Sequence, residues 1–266
     1  MLPPCPKKKS LIFLGSPQVS VTVLEALFDA SASPNSSFEV AGIVTQPPSR
    51  RDRGKKVLPS PDGVQETGVS LAFTVRKLDA GPVIASERFQ VDDQIKAPEL
   101  LSFLFSEGSK LLISELPLIF DGSAKSKAVP QDDSKATLAP KNDSIDDAQI
   151  APDEAWLSFD QEAFVLHNKV RAFAGWPGTR AKVVVLDDKS GQENELELKI
   201  ITTRIRQNTE MLNGEQDYVS FEKGSLVFPC GKGTALEVLE VQLPGKKAIN
   251  AAAFWNGLRG QKLKKL

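Results

Sequence analysis

The feature that most constrains the fold is a strand–helix–strand alternation near the start of the chain. Leu11 to Gly15 is a short apolar run closed by Gly15, Ser16 and Pro17, which reads as a strand, a turn and a helix start. Residues 19–29 then put Val23, Leu24, Leu27 and Phe28 on one helical face, and the Ser-rich stretch 31–37, with Pro34 and Asn35, ends the element. FEVAGIVT at 38–45 is a second apolar strand. Such a βαβ unit requires parallel strands, and a parallel sheet binds ligands at the carboxyl ends of its strands.

Past Thr45 the pattern stops. Residues 46–61, QPPSRRDRGKKVLPSP, form a long Pro-bounded loop in which Arg50, Arg51, Arg53, Lys55 and Lys56 face a lone acid, Asp52. It is either a solvated surface segment or, given its place at the end of a parallel strand, a grip on a phosphate backbone. Residues 69–75 and 83–91 read as two further strands around the turn-like LDAG at 78–81. Pro98 and Glu99 open a helix with Leu101, Leu104, Phe105 and Leu112 at helical spacing, which Pro117 ends or kinks.

Residues 121–155 are rich in Ser, Asp and Lys, carry Pro130, Pro140 and Pro152, and read as a flexible linker. The chain is thus divided into an N-terminal domain at 10–120, the linker at 121–155, and a C-terminal domain at 156–266. In the last, an amphipathic helix at 160–173 closed by Gly175 and Pro177 precedes short strands near 181–187, 195–206, 217–228 and 234–242. Short strands at that spacing suit a small β-barrel. The tail from 244 to 266 holds Lys246, Lys247, Arg259, Lys262, Lys264 and Lys265 and no acid. Two separate basic patches on one chain are the footprint of a large polyanion.

Composition narrows the rest. With 33 Lys and Arg against 34 Asp and Glu, the net charge is −1, so any nucleic-acid surface must be local. Two cysteines, Cys5 and Cys230, exclude a disulfide scaffold and a cysteine-based zinc site, and no metal is expected. A reducing compartment fits. His167, the single histidine, confines every histidine-dependent mechanism to one position, on the apolar-patterned helix after the linker where it reads as a structural or surface residue. No apolar run reaches the ~18 residues a membrane helix needs, and the start of the chain reads as neither signal nor transit peptide.

On these residues the chain resembles the methionyl-tRNA formyltransferase family. LIFLGSP at 11–17 is similar to its first strand and turn, and TQPPSRRDRGKKVLPSP at 45–61 to its tRNA-contacting loop. ETGVSLAFTVRKLDAG at 66–81 is similar to the segment carrying the family's catalytic aspartate, which falls on Asp79. VRAFAGWPGTRA at 170–181 and LPGKKAINAAAFWNGLRG at 243–260 are similar to the start and end of its C-terminal barrel. The fold so implied is α/β: a truncated Rossmann-like formyltransferase domain followed by a small OB-like β-barrel domain. The implied reaction moves a formyl group from 10-formyltetrahydrofolate to the amino group of methionine on initiator tRNA. An asparagine then donates to the oxyanion, a histidine helps with proton transfer, and the aspartate orients that histidine.

The resemblance breaks at one place. The family's N-x-H-x-S-x-L-P motif, which supplies the Asn and His and lines the folate pocket, belongs between LPSP and ETGV, where this chain has only Asp62, Gly63, Val64 and Gln65. The residues alone point the same way: 45–69 show no helical periodicity, whereas a return to a parallel strand needs a crossover of about a dozen residues or more. The family's acidic, glycine-rich pattern around its aspartate is also thinned, to Val75, Lys77, Asp79, Gly81 and Pro82, so LDAG stands equally as a plain turn. The expectations are therefore a weakly stable N-terminal domain with exposed edges and little or no formyl transfer. Asp79 is left as the remaining catalytic carboxylate, and Arg50, Arg51, Arg53, Lys55, Lys56, Lys246 and Lys247 as tRNA contacts. Folate binding is in doubt, the partner is initiator methionyl-tRNA, no membrane is involved, and the chain is expected to be a monomer in the mitochondrion, with plastid or cytoplasm as alternatives. A non-enzymatic tRNA-binding protein or an unproductive splice product is the competing reading.

Overall fold

The computed structural model describes residues 8–14, 19–44, 66–77, 80–132, 134, 152–187, 191–206 and 217–266. The chain forms two compact units. The first comprises Met1–Arg53, Gln65–Asp92 and Glu99–Lys141, and the second Gly54–Val64, Asp93–Pro98 and Asn142–Leu266.

In the first unit the βαβ reading holds. β1 (Lys9–Leu14) and β2 (Phe38–Val44) pair in parallel from Lys9 opposite Phe38 to Leu14 opposite Val44, and α1 (Val19–Ala32) joins them. A run such as LIFL, apolar at every position, is built to be covered on both faces. Here one face is covered: Leu11 and Phe13 pack with Leu27, Phe38 and Leu116, while Ile12 and Leu14 are 62% and 71% exposed. The expected helix face is likewise only half used, because Leu27 is buried and Phe28 is exposed.

β3 (Glu66–Ala72) and β4 (Val83–Gln90) form a separate antiparallel hairpin, from Glu66 opposite Gln90 to Ala72 opposite Val83. The expected single open sheet is therefore, among the described residues, two sheets of two strands. Glycine is required at Gly81, where a Cβ would run into the carbonyl oxygen of Phe73. α2 (Ala97–Asp121) runs through Pro117 rather than ending there. A mid-helix proline forfeits a backbone hydrogen bond, but Leu116 is buried and Leu112, Ile113 and Phe120 pack on the same cluster, so burial on both sides of the proline holds the helix together.

The stretch read as linker begins with structure. α3 (Ser123–Lys127) buries Ala124, and Val129 exchanges two 2.8 Å backbone hydrogen bonds with Val83. Residues 135–151 lie outside the described residues.

The second unit holds the larger core. β5 (Thr179–Asp187), β6 (Gln192–Ile205), β7 (Tyr218–Glu222), β8 (Ser225–Pro229), β9 (Ala235–Gln242) and β11 (Lys262–Lys265) pair in the order β9-β6-β5-β11-β7-β8, and β8 pairs back to β9. The result is a closed barrel of six strands. The short β10 (Ala248–Asn250) extends the β9 edge beyond β8. β6 carries register shifts around Thr202, the irregularities that let a long strand bend around a barrel. One expected strand at 217–228 is two, split by the Lys223–Gly224 turn, where both residues have positive φ. α4 (Ala163–Ala172) plugs the barrel with Leu166 and Val170, and Phe159 stacks on Phe228 at 4.6 Å. Among the described residues no helix is long and apolar enough to cross a membrane.

Candidate functional site

The residues expected to carry the chemistry divide sharply. Asp79 and the loop cations Arg50, Arg51, Arg53, Lys55 and Lys56 lie outside the described residues. Lys246 and Lys247 are described and exposed, on the turn between β9 and β10. That turn is tight: Gly245 has φ +70°, the Lys246 N–H donates to the Leu243 carbonyl at 3.0 Å, and the Gln242 amide donates to the Lys246 carbonyl at 2.7 Å. The backbone is held by its own hydrogen bonds, which leaves both ammonium groups to project from a fixed base.

The rest of the basic tail is part of the barrel wall. Asn250 caps α5 (Ala251–Gly257), accepting from the Ala253 N–H at 2.8 Å, and Ala251 and Phe254 enter the core. Arg259 (φ +52°) and Gly260 (φ +90°) turn the chain into β11. There Leu263 is fully buried between β5 and β7, while Lys264 reaches Asp217 at 3.8 Å and Lys265 donates to the Pro229 carbonyl at 3.0 Å. Reading the tail as a surface patch missed this stave, because KLKK shows a single apolar residue and a period of two cannot be recognised from one point.

Elsewhere on the barrel, cations face acids across the strands. Arg180 pairs with Glu197 at 2.9 Å, Lys182 with Glu195 at 2.9 Å, and Arg204 with Glu237 at 2.5 Å. The hydrogen bond to Glu195 holds the Lys182 amine above its usual value. These pairs cancel their own charge, whereas the 244–266 segment contains no acid.

His167 is committed to structure. It is 2% exposed, its Nε2 lies 2.8 Å from the Asp93 carbonyl oxygen and its Nδ1 2.9 Å from Thr203 Oγ1. A carbonyl only accepts, so Nε2 carries the proton and Nδ1 accepts from the Thr203 hydroxyl. Both nitrogens of the neutral ring are thereby used. Burial pushes its pKa below the ordinary histidine value, outweighing the Asp93 hydrogen bond. With Arg171 donating to the Ile95 carbonyl at 2.9 Å and Lys96 to Thr203's neighbour Thr202 at 3.0 Å, His167 fastens residues 93–98 to the barrel unit. It has no free lone pair to offer a substrate.

In the first unit the described strands leave the parallel pair open. β1 and β2 form a sheet of two strands with Ile12, Leu14 and Ile43 exposed, so no third described strand walls the crevice beside them. Nor, among the described residues, do three His, Cys, Asp or Glu gather as metal ligands.

Comparison with known proteins agrees with this architecture. Residues 149–259 match the family described as formyl transferase, C-terminal domain. The methionyl-tRNA formyltransferase of Syntrophomonas wolfei is 23% identical over 326 residues, covering 93% of this chain and 95% of its own length. That of Lactobacillus acidophilus is 25% identical over the same span and coverage. Those 326 aligned residues exceed the 266 of this chain, so the relatives carry stretches to which nothing here corresponds. The N-formyltransferase of Helicobacter canadensis, solved with folinic acid and dTDP-3-aminofucose, superposes with a TM-score of 0.52 at 15% identity over 87% of this chain and 99% of its own. That likeness fixes the fold alone. With an α/β first unit, a closed C-terminal barrel that matches the formyl transferase C-terminal domain, and similarity to methionyl-tRNA formyltransferases along nearly their whole length, the chain has the architecture of a formyltransferase.

Proposed function

We propose that this chain keeps a grip on initiator methionyl-tRNA and has lost, or nearly lost, formyl transfer from 10-formyltetrahydrofolate. One observation carries the reading: the sole histidine is buried in the barrel unit with both ring nitrogens engaged, so it cannot serve the proton transfer that the family resemblance assigns to a histidine. The proposed tRNA contacts are Arg50, Arg51, Arg53, Lys55 and Lys56 in the loop and Lys246 and Lys247 on the barrel. Asp79 is the proposed remnant of the catalytic set. The N-x-H motif that, by the family resemblance, lines the folate pocket is absent from this sequence, so a weakened hold on folate is part of the proposal.

The relatives' longer aligned span supports a further part of this reading, the skipping of an internal segment between Pro61 and Glu66. Sequencing of transcripts is expected to show a form with an N-x-H segment at that join. The proposed compartment is the mitochondrion, since eukaryotic members of the family serve mitochondria or plastids, and fractionation of cells expressing a tagged chain tests it.

The deciding experiment offers the purified chain 10-formyltetrahydrofolate and methionyl initiator tRNA, beside an Asp79→Ala variant. Formyl transfer at background for both, with tRNA binding that weakens steeply as salt rises, is the expected result. Transfer above background that disappears in Asp79→Ala would overturn the loss of activity, and a salt-independent affinity would overturn the tRNA grip.

A further inference from the structure

The barrel carries a cleft of about 320 Å³, lined among others by Tyr218, Trp255, Gly260, Gln261, Lys262 and Leu263. Three elements converge on it: β7 brings Tyr218, α5 brings Trp255, and the turn into β11 brings the rest. The floor is apolar and fixed, since Leu263 is fully buried and Val219 nearly so. Trp255 is half-buried and stacked on Phe221 at 5.6 Å and 15°, which fixes the plane of its indole. The Lys262 ammonium lies 6.0 Å from the centre of the Tyr218 ring. The Gln261 N–H donates to the Leu258 carbonyl at 3.0 Å, so the turn that carries the Gln261 amide is itself anchored.

Each part selects against a class of ligand. Two half-buried aromatic rings over an apolar floor favour a flat π-face. Cations at 259, 262 and 264 in a segment without acids favour a ligand with negative charge, Lys264 having Asp217 at 3.8 Å. A side-chain amide supplies a donor and an acceptor to the edge of a planar group. The volume lies at the lower end of small-ligand pockets, room for one base and its sugar and too little for a duplex. A planar ring with hydrogen-bonding edges on an anionic backbone is a nucleotide.

We propose that this cleft seats one unpaired nucleobase of an RNA strand, stacked on Tyr218 and Trp255, with the flanking phosphates on Arg259 and Lys262. It rests on the tRNA reading above and adds to it a base-binding subsite on the barrel.

The test uses the full chain and three RNA probes: a single-stranded oligomer with 2-aminopurine at one position, the same oligomer abasic at that position, and a blunt duplex. Tyr218→Leu and Trp255→Leu are each expected to lower affinity for the base-containing oligomer about 5- to 150-fold, the worth of one stacked base. The abasic oligomer and the duplex are expected to bind all forms alike, and Tyr218→Phe to keep the affinity of the original. Because Trp255 also packs on Phe221, Tyr218→Leu decides the matter if Trp255→Leu does not fold. Equal losses for base-containing and abasic probes, or none for either, would overturn the subsite while leaving a salt-sensitive grip on tRNA intact. Failure to bind any RNA would overturn both readings.

Discussion

Replacing His167 by leucine tests the assignment of that ring to structure. His167 and Thr203 are 2% and 3% exposed, so the variant leaves the Thr203 hydroxyl buried without its acceptor, at about 1–3 kcal/mol. Asp93 is exposed, so its carbonyl regains water and the loss there is only the net worth of a hydrogen bond, about 1 kcal/mol. The expected destabilisation is about 2–4 kcal/mol. Urea unfolding followed by tryptophan fluorescence reads it selectively, because all three tryptophans, Trp156, Trp176 and Trp255, lie in the second unit. The pH dependence has a definite sign. The folded ring titrates below its unfolded value of about 6.5, so its contribution is complete above that pH and is lost as pH falls from there through the folded pKa. The slope is at most about 1.4 kcal/mol per pH unit. The gap between the original chain and His167→Leu is therefore expected to narrow as pH falls below 6.5. A variant equal in stability to the original, or a gap constant from pH 7.5 to 5.5, would refute the assignment.

Three other outcomes are expected. Leu263→Ala empties a fully buried position between β5 and β7 and costs about 2–5 kcal/mol in the same urea assay; a loss under 1 kcal/mol would mean that β11 does not seal the wall. Replacing both Lys246 and Lys247 by alanine lowers the slope of log affinity for tRNA against log salt by roughly 1.4–1.8, from about 0.7–0.9 per phosphate contact, without changing the unfolding midpoint. Burial pushes the Cys230 thiol up to about 11, so peptide mapping after iodoacetamide at pH 8 is expected to find the label at Cys230 only when denaturant is present.

The βαβ unit and the barrel were legible because each is written in several consecutive residues with one period. FEVAGIVT and the Val-rich 181–187 run declare strands on their own. How the first unit's strands group was not legible, since that depends on which neighbours are available to cover an apolar run, and LIFL reads the same whether one or both faces are covered. The exposure of Ile12 and Leu14 shows that, among the described residues, one face of that run is covered and the other is not. That the helix does not end at Pro117 was not legible for a related reason, because local propensity gave way to the packing of Leu116 and Phe120. In the site, Lys246 and Lys247 were visible as charge, whereas the Tyr218–Trp255 cleft joins residues far apart in sequence, from different elements, and no spacing rule links them.

The position of β11 has a bearing on how the barrel comes into being. Lys265 sits opposite Val183 and Leu263 opposite Val219, so one four-residue strand bridges two others that lie far back along the chain. Until it arrives, β5 and β7 each present an unpaired edge, a template for pairing with another molecule. The loop it closes is long, and the entropy of that closure is spent before the contacts around Leu263 return anything. Such non-local closure belongs to folding in milliseconds to seconds rather than microseconds. The last stretch of barrel wall is thus the step at which folding and self-association compete, and the charges on Lys262 and Lys264 help keep those open-edged intermediates apart.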